Sequence, residues 1–228
     1  LEGLMQNDFQ LTIPAIARRL DDLYGDGEVI TLHEDGPQHT TYAEVSARAS
    51  KLAHVLDRLG VKPGDRVGTF AWNNQRHLEL YFAVPSAGAV LHTVNVRLFP
   101  EQITYVINHA SDGVVFVDDS LVPLIAPLVG DIDGVRHWVV MGDGDAPALP
   151  GALSYEELIA EAPDDTYDWP EIDERQAASL CYTSGTTGNP KGVLYSHRAI
   201  ALHSTASCMT DALGISGPDR VLTIVPMF

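Results

Sequence analysis

Residues 182–192 read Tyr182-Thr183-Ser184-Gly185-Thr186-Thr187-Gly188-Asn189-Pro190-Lys191-Gly192. Three glycines, four serine or threonine hydroxyls and one lysine fall in eleven residues, directly after the apolar run Ala177-Ala178-Ser179-Leu180-Cys181. A loop of this composition offers backbone N–H groups, O–H donors and one ammonium to a polyanion, the chemistry that grips nucleotide phosphates. Spacing excludes a Walker-type loop, which needs Gly before the Lys and Ser or Thr after it; here Pro190 precedes Lys191 and Gly192 follows. A kinase glycine-rich loop is excluded because its G-x-G-x-x-G spacing is absent. The order of residues between two apolar runs also argues against a flexible Gly/Thr linker.

Working outward, Gly192 to Ser196 reads as a strand, 197–213 as a helix and Val221 to Val225 as a buried strand. Upstream, 12–24 reads as a helix with Thr12 as N-cap and Pro14 in its first turn, followed by a short strand over 28–32. Thr41 opens a strong helix, because Glu44 three positions on completes a capping box. Val45, Ala49, Leu52, Leu56 and Leu59 then fall at helical spacing, and Gly60 ends it. Pro63-Gly64-Asp65 is a turn and Arg66 to Ala71 a strand. A helix over 75–87, a strand over 88–93, a helix from Pro100 and the strand Val114–Val117 follow. A helix near 121–129 and the strand His137–Val140 come next, and Ser154 with Glu157 forms a second capping box. Residues 141–151 and 162–175, rich in Asp, Gly and Pro, read as surface loops. Strands separated by helices predict an α/β fold with a parallel sheet and packed helices, with no linker long enough to separate independent domains.

The 228 residues suffice for one substantial core. A net charge of −17 argues against nucleic-acid binding and against docking on anionic membranes. It also means that positive charge for an anionic ligand must be supplied locally, and Lys191 is the clearest source. Two cysteines, Cys181 and Cys208, make no disulfide framework and point to a reduced, cytoplasmic setting. No apolar run reaches 18 residues. His77, His92 and His109 lack the close pairing of a zinc site and read as structural. No G-x-S-x-G elbow is present, which counts against a hydrolase.

The eleven residues resemble the phosphate-binding loop of the adenylate-forming superfamily, which includes acyl-CoA synthetases, adenylation domains and luciferases. Val193-Leu194-Tyr195-Ser196-His197-Arg198 extends the likeness. Thr41-Tyr42-Ala43-Glu44-Val45 resembles that superfamily's early "TY-x-E-L" motif, and Val225-Pro226-Met227-Phe228 its next motif, which normally continues with a His. His77 to Leu98, containing Tyr81-Phe82-Ala83-Val84-Pro85 and His92-Thr93-Val94-Asn95-Val96-Arg97-Leu98, is most similar to bacterial fatty-acid–CoA ligases. The resemblance covers nearly the whole chain.

That resemblance implies ATP-dependent activation of a fatty acid to an acyl-adenylate, then transfer to CoA, with Mg²⁺ as the metal. It places Thr183, Ser184, Gly185, Thr186, Thr187, Gly188 and Lys191 on the nucleotide, with Lys191 balancing charge on the departing pyrophosphate. It also assigns Thr183 to Mg²⁺; the residues alone equally allow a strand-end hydroxyl bonded to backbone. His197 reads as a packed or cap-like residue rather than a catalytic one. Arg198 is unfavourable at a helix start and should serve a partner elsewhere. Tyr81-Phe82-Ala83-Val84 reads as core helix, and Pro226-Met227-Phe228 as the better candidate to line an acyl site.

Resembling proteins are more than twice this long, so 1–228 reads as an incomplete N-terminal part of the large AMP-binding domain, inactive by itself. A ligase for a short-chain or aromatic carboxylate, and a non-catalytic nucleotide-binding or dimerisation fragment, are the alternatives. Leu1 to Pro14 is the candidate segment for a homodimer.

Overall fold

The computed structural model describes residues 9–33, 36–143, 149–183 and 189–228. In chain order the elements are α1 (Ile13–Asp22), β1 (Glu28–His33), β2 (Gly36–Thr41), α2 (Tyr42–Arg58), β3 (Arg66–Phe70), α3 (Gln75–Ser86) and β4 (Val90–Thr93). Then come α4 (Pro100–Ala110), β5 (Asp112–Asp118), α5 (Val122–Ile125), β6 (His137–Met141), β7 (Leu153–Ser154) and α6 (Tyr155–Glu161). The chain finishes with β8 (Ala177–Thr183), β9 (Lys191–Ser196) and α7 (His197–Cys208). Among the described residues, seven strands form one sheet in the order β7-β6-β5-β3-β4-β8-β9. Its pairings are parallel except for β8 with β9. β1 and β2 form a separate antiparallel pair.

Strand alternation divides the core. Val114 and Phe116 of β5 and Val139 and Met141 of β6 share a buried cluster with α2, α3 and α6. Val115, Val117, Trp138 and Val140 point the other way, into a cluster with α4 and α5. A period of two on strands buried on both faces therefore yields three layers, helix–sheet–helix. The predicted α/β fold with a mainly parallel sheet is the one observed.

α2 forms as its sequence dictates. The Thr41 hydroxyl accepts from Glu44 N at 3.2 Å, and the Glu44 carboxylate accepts from Thr41 N at 2.7 Å. Val45, Ala49, Leu52 and Leu56 are buried, and Gly60, at φ +75°, takes the left-handed turn that ends the helix. Between α2, α3 and α6 lies a buried polar network. The fully buried Glu79 carboxylate accepts from Arg48 at 2.6 Å, from Gln75 at 2.5 Å and from Tyr155 at 2.5 Å. Arg48 also binds Glu156, which pairs with Arg76. Satisfying every partner makes the burial of such charges tolerable.

One element was unforeseen and three expectations need correction. β2 was not visible in the sequence, because Gly36-Pro37-Gln38-His39 lacks apolar alternation; pairing with β1 creates it. The helix near 121–129 is short: Pro123 and Pro127 confine α-geometry to α5, and 3₁₀ turns flank it. α7 ends at Cys208, not 213, where Met209 turns extended. Val221–Val225 is neither strand nor buried: Val221, Leu222, Ile224 and Val225 are all more than half exposed. No strand among the described residues lies beside it to complete its backbone hydrogen bonds. Of the expected loop 141–151, residues 144–148 lie outside the described residues, and Leu149 is buried.

Two substitutions separate packing from capping. Phe116→Ala is expected to cost about 3–5 kcal/mol in urea unfolding, against about 1 kcal/mol for Thr41→Ala. Equal losses would contradict a core-dominated fold.

Candidate active site

β3, β4, β5, β6 and β8 run parallel, so their carboxyl ends share one edge of the sheet. The connection after β3 leads to β4 on one side and that after β5 leads to β6 on the other. Such a switch point opens a crevice outside the carboxyl ends, the usual ligand position in open α/β sheets.

The glycine-rich loop joins β8 to β9 at this edge. Thr183 and Lys191 are register partners at the hairpin's mouth. The Thr183 hydroxyl donates to the Lys191 carbonyl at 3.4 Å, the backbone role its position allowed. Lys191 is exposed and forms no ion pair among the described residues. Ser184, Gly185, Thr186, Thr187 and Gly188 lie outside the described residues. Gly192 has a packing reason: a Cβ there would stand 3.1 Å from Leu180 and 3.3 Å from the Tyr182 ring. Tyr182 itself donates its hydroxyl to His109 Nδ1 or accepts from it, at 2.6 Å.

Three histidines are buried in the core. His77 is fully buried; its Nδ1–H donates to the Trp72 carbonyl at 3.0 Å, so Nε2 accepts from the Thr69 hydroxyl at 3.0 Å. His92 pairs with Asp112 at 2.7 Å, both fully buried. Burial pushes the Asp112 carboxyl up, and His92 opposes that shift. His197 is buried, with Nδ1 accepting from Ile13 N at 3.2 Å, which docks the start of α1 on α7. Arg198 does find a distant partner, Glu174, at 2.5 Å.

Sequence reasoning missed the loop after β3. Asn74 caps α3, accepting from His77 N at 2.9 Å, and donates to Asp118 at 2.8 Å across the switch point. Burial raises the Asp118 carboxyl. Asn73 binds the backbone of residues 223–227, and the Trp72 and Phe228 rings meet edge to face at 6.2 Å. The adjacent Asn73-Asn74 pair before a helical run was the available signal for the cap.

No cluster of three or more His, Cys, Asp or Glu able to hold a metal occurs among the described residues. The exposed Lys191 ammonium at this edge suits an anion rather than a bare cation.

Residues 22–228 match the AMP-binding enzyme family. The chain belongs to that family. It is 49% identical to the medium-chain-fatty-acid–CoA ligase of Ectopseudomonas oleovorans, over 100% of this chain and 42% of that protein. It is 49% identical to a 3-methylmercaptopropionyl-CoA ligase of Ruegeria lacuscaerulensis, over 90% of this chain and 39% of that one. The long-chain-fatty-acid–CoA ligase of Thermus thermophilus is 47% identical over 97% of this chain and 40% of its own length. Among solved structures, a putative long-chain-fatty-acid CoA ligase from Rhodopseudomonas palustris superposes with a TM-score of 0.81 at 27% identity, covering 95% of this chain and 51% of that one. The chain thus spans about two fifths of the length of the curated relatives it matches.

Burial lowers the pKa of both His77 and His197 to about 4, from an ordinary 6.5. The unfolded chain therefore binds more protons than the folded one between about pH 4 and 6.5. Stability from these histidines is complete above about pH 6.5 and is lost as pH falls toward 4. For fully buried His77 the loss is on the order of 3 kcal/mol. Urea midpoints measured across this window should fall less steeply for His77→Gln than for the wild type; equal slopes would contradict the assignment.

Proposed function

We propose that this chain is the nucleotide-gripping part of an ATP-dependent fatty-acid–CoA ligase, an acid–thiol ligase. The observation that carries the reading is the β8–β9 hairpin at the carboxyl edge of the sheet, with Lys191 exposed at its mouth and in no ion pair among the described residues. A fatty-acid carboxylate oxygen attacks the α-phosphorus of ATP, releasing pyrophosphate; the CoA thiol then attacks the acyl carbonyl and AMP leaves. The first step sets one anion against another, so the protein's contribution is positioning and charge neutralisation rather than a nucleophile. Lys191 is assigned to charge on the departing pyrophosphate. Ser184, Thr186 and Thr187 donate O–H bonds, and Gly185 and Gly188 admit close backbone approach to phosphate oxygens. Mg²⁺ is assigned to the nucleotide, its shell mostly phosphate and water with at most the Thr183 hydroxyl from this segment.

A shorter acid is the second reading, supported by the equal 49% identity to the medium-chain and 3-methylmercaptopropionyl ligases. A cytoplasmic setting fits the two free cysteines, and self-association through Leu1–Pro14 fits the exposed Phe9. In this reading residues 1–228 are the N-terminal part of the large domain and form no acyl-adenylate alone.

CoA ligation by the complete polypeptide, with acids from acetate to stearate plus benzoate, tests the function. Turnover of medium or long chains is expected; turnover confined to acetate or benzoate would overturn the fatty-acid assignment. Lys191→Ala should weaken ATP binding by about tenfold or more, the scale of a lost charge-assisted contact. Unchanged binding would remove Lys191 from the site.

A further inference from the structure

We propose that His109 and Tyr182 are positioning residues for nucleotide phosphates, their hydrogen bond fixing where the mouth of the β8–β9 hairpin stands. The proposal rests on the nucleotide-gripping reading above, whose ligand class comes from the loop's own glycines, hydroxyls and Lys191 in a chain of net charge −17. Tyr182 touches both arms of the hairpin. It directly precedes Thr183, and its register partner Gly192 directly follows Lys191. A Cβ at Gly192 would stand 3.3 Å from the Tyr182 ring, so the ring packs against the opposite arm. Thr183 and Lys191 are the next register pair, and Lys191 is exposed. A shift of this ring therefore moves the backbone that carries the ammonium.

The ring is held on two sides from one turn. His109 in the last turn of α4 and Asp112 at the start of β5 flank Ala110-Ser111. His109 Nδ1 lies 2.6 Å from the Tyr182 hydroxyl, and its ring stacks on Tyr105 at 5.2 Å. Asp112 Oδ2 reaches His92 Nδ1 at 2.7 Å, both side chains fully buried, and the His92 ring leans on the Tyr182 ring at 5.1 Å. The pair crosses β3 at Gly68, where a Cβ would stand 2.9 Å from Asp112 Oδ2. The turn itself is fixed. Ser111 takes a left-handed φ of +56°, and Arg66 donates to the carbonyls of Ala110 at 2.6 Å and Ser111 at 3.2 Å. A non-glycine residue keeps such a φ only where its surroundings enforce it. Contacts thus close a ring from the turn through His109, Tyr182, His92 and Asp112 back to the turn. Burial raises the Tyr182 phenol to about 12, so it stays protonated at neutral pH. Donors fixed before the ligand arrives spare the ordering cost of binding it.

The test uses the complete parent polypeptide and the dissociation constant for ATP. Tyr182→Phe keeps the ring and loses the hydroxyl; His109→Phe keeps a ring for Tyr105 and loses Nδ1. Each is expected to weaken ATP binding by about threefold to tenfold, the scale of one lost hydrogen bond. Because both remove the same bond, the double variant should bind no more weakly than the weaker single variant. KM for the acid at saturating ATP should stay within about twofold of wild type. Unaltered ATP binding, losses that multiply in the double variant, or a parallel rise in KM for the acid would each overturn the proposal. Should His109→Phe not fold, Tyr182→Phe decides through the split between the two constants. A wild type that binds no ATP overturns the nucleotide reading and this one with it; a binding wild type with unaltered variants overturns only the positioning role.

Discussion

Parallel pairing of β4 with β8 is the constraint on which the candidate site depends. Three register pairs, from Leu91 with Ser179 to Thr93 with Cys181, join segments 88 residues apart in sequence. They bring the carboxyl end of β8, and hence the glycine-rich loop, to the edge where β3, β4 and β5 also end. Without that pairing the loop would be an isolated hairpin. With it, β8 ends at the same edge as the β3–α3 turn. The parallel ladder also demands cover on both faces, which α2, α3 and α6 provide on one side and α4 and α5 on the other.

Charge sharpens the argument. A chain with 31 acidic and 14 basic residues repels polyanions in general. Most of its described arginines are committed: Arg48 and Arg76 to Glu156, Arg175 to Asp173, Arg198 to Glu174. Lys191 is exposed at the hairpin's mouth and forms no ion pair among the described residues. An acidic protein that must hold ATP needs such a local cation, supported by uncharged donors that cost nothing in repulsion.

Elements specified by local chemistry were legible in the sequence. The Thr41–Glu44 box, the apolar spacing of α2 and the buried run of β5 declare themselves within a few residues. The buried positions of His77, His92 and His197, and the distant partner of Arg198, agree with the sequence reading. Features that depend on a neighbour were not. β2 exists because β1 pairs with it, and its own residues are polar. Val221–Val225 has strand composition, but no strand among the described residues lies beside it. The reach of Asn73 over 150 residues to Thr223 cannot be read from spacing. At the candidate site Thr183 and Lys191 are register partners, and the polar contacts of Asn73, Asn74 and Asp118 were the part that sequence left hidden.

The central claim is that this fold serves to join a carboxylate to the α-phosphorus of ATP. Acid-dependent ATP–pyrophosphate exchange by the complete polypeptide, measured without CoA, tests it most directly, because exchange requires a reversible adenylate and nothing downstream. The account predicts exchange that appears only when a fatty acid is present and that collapses in Lys191→Ala. Exchange absent with every acid, or proceeding equally without one, would contradict it.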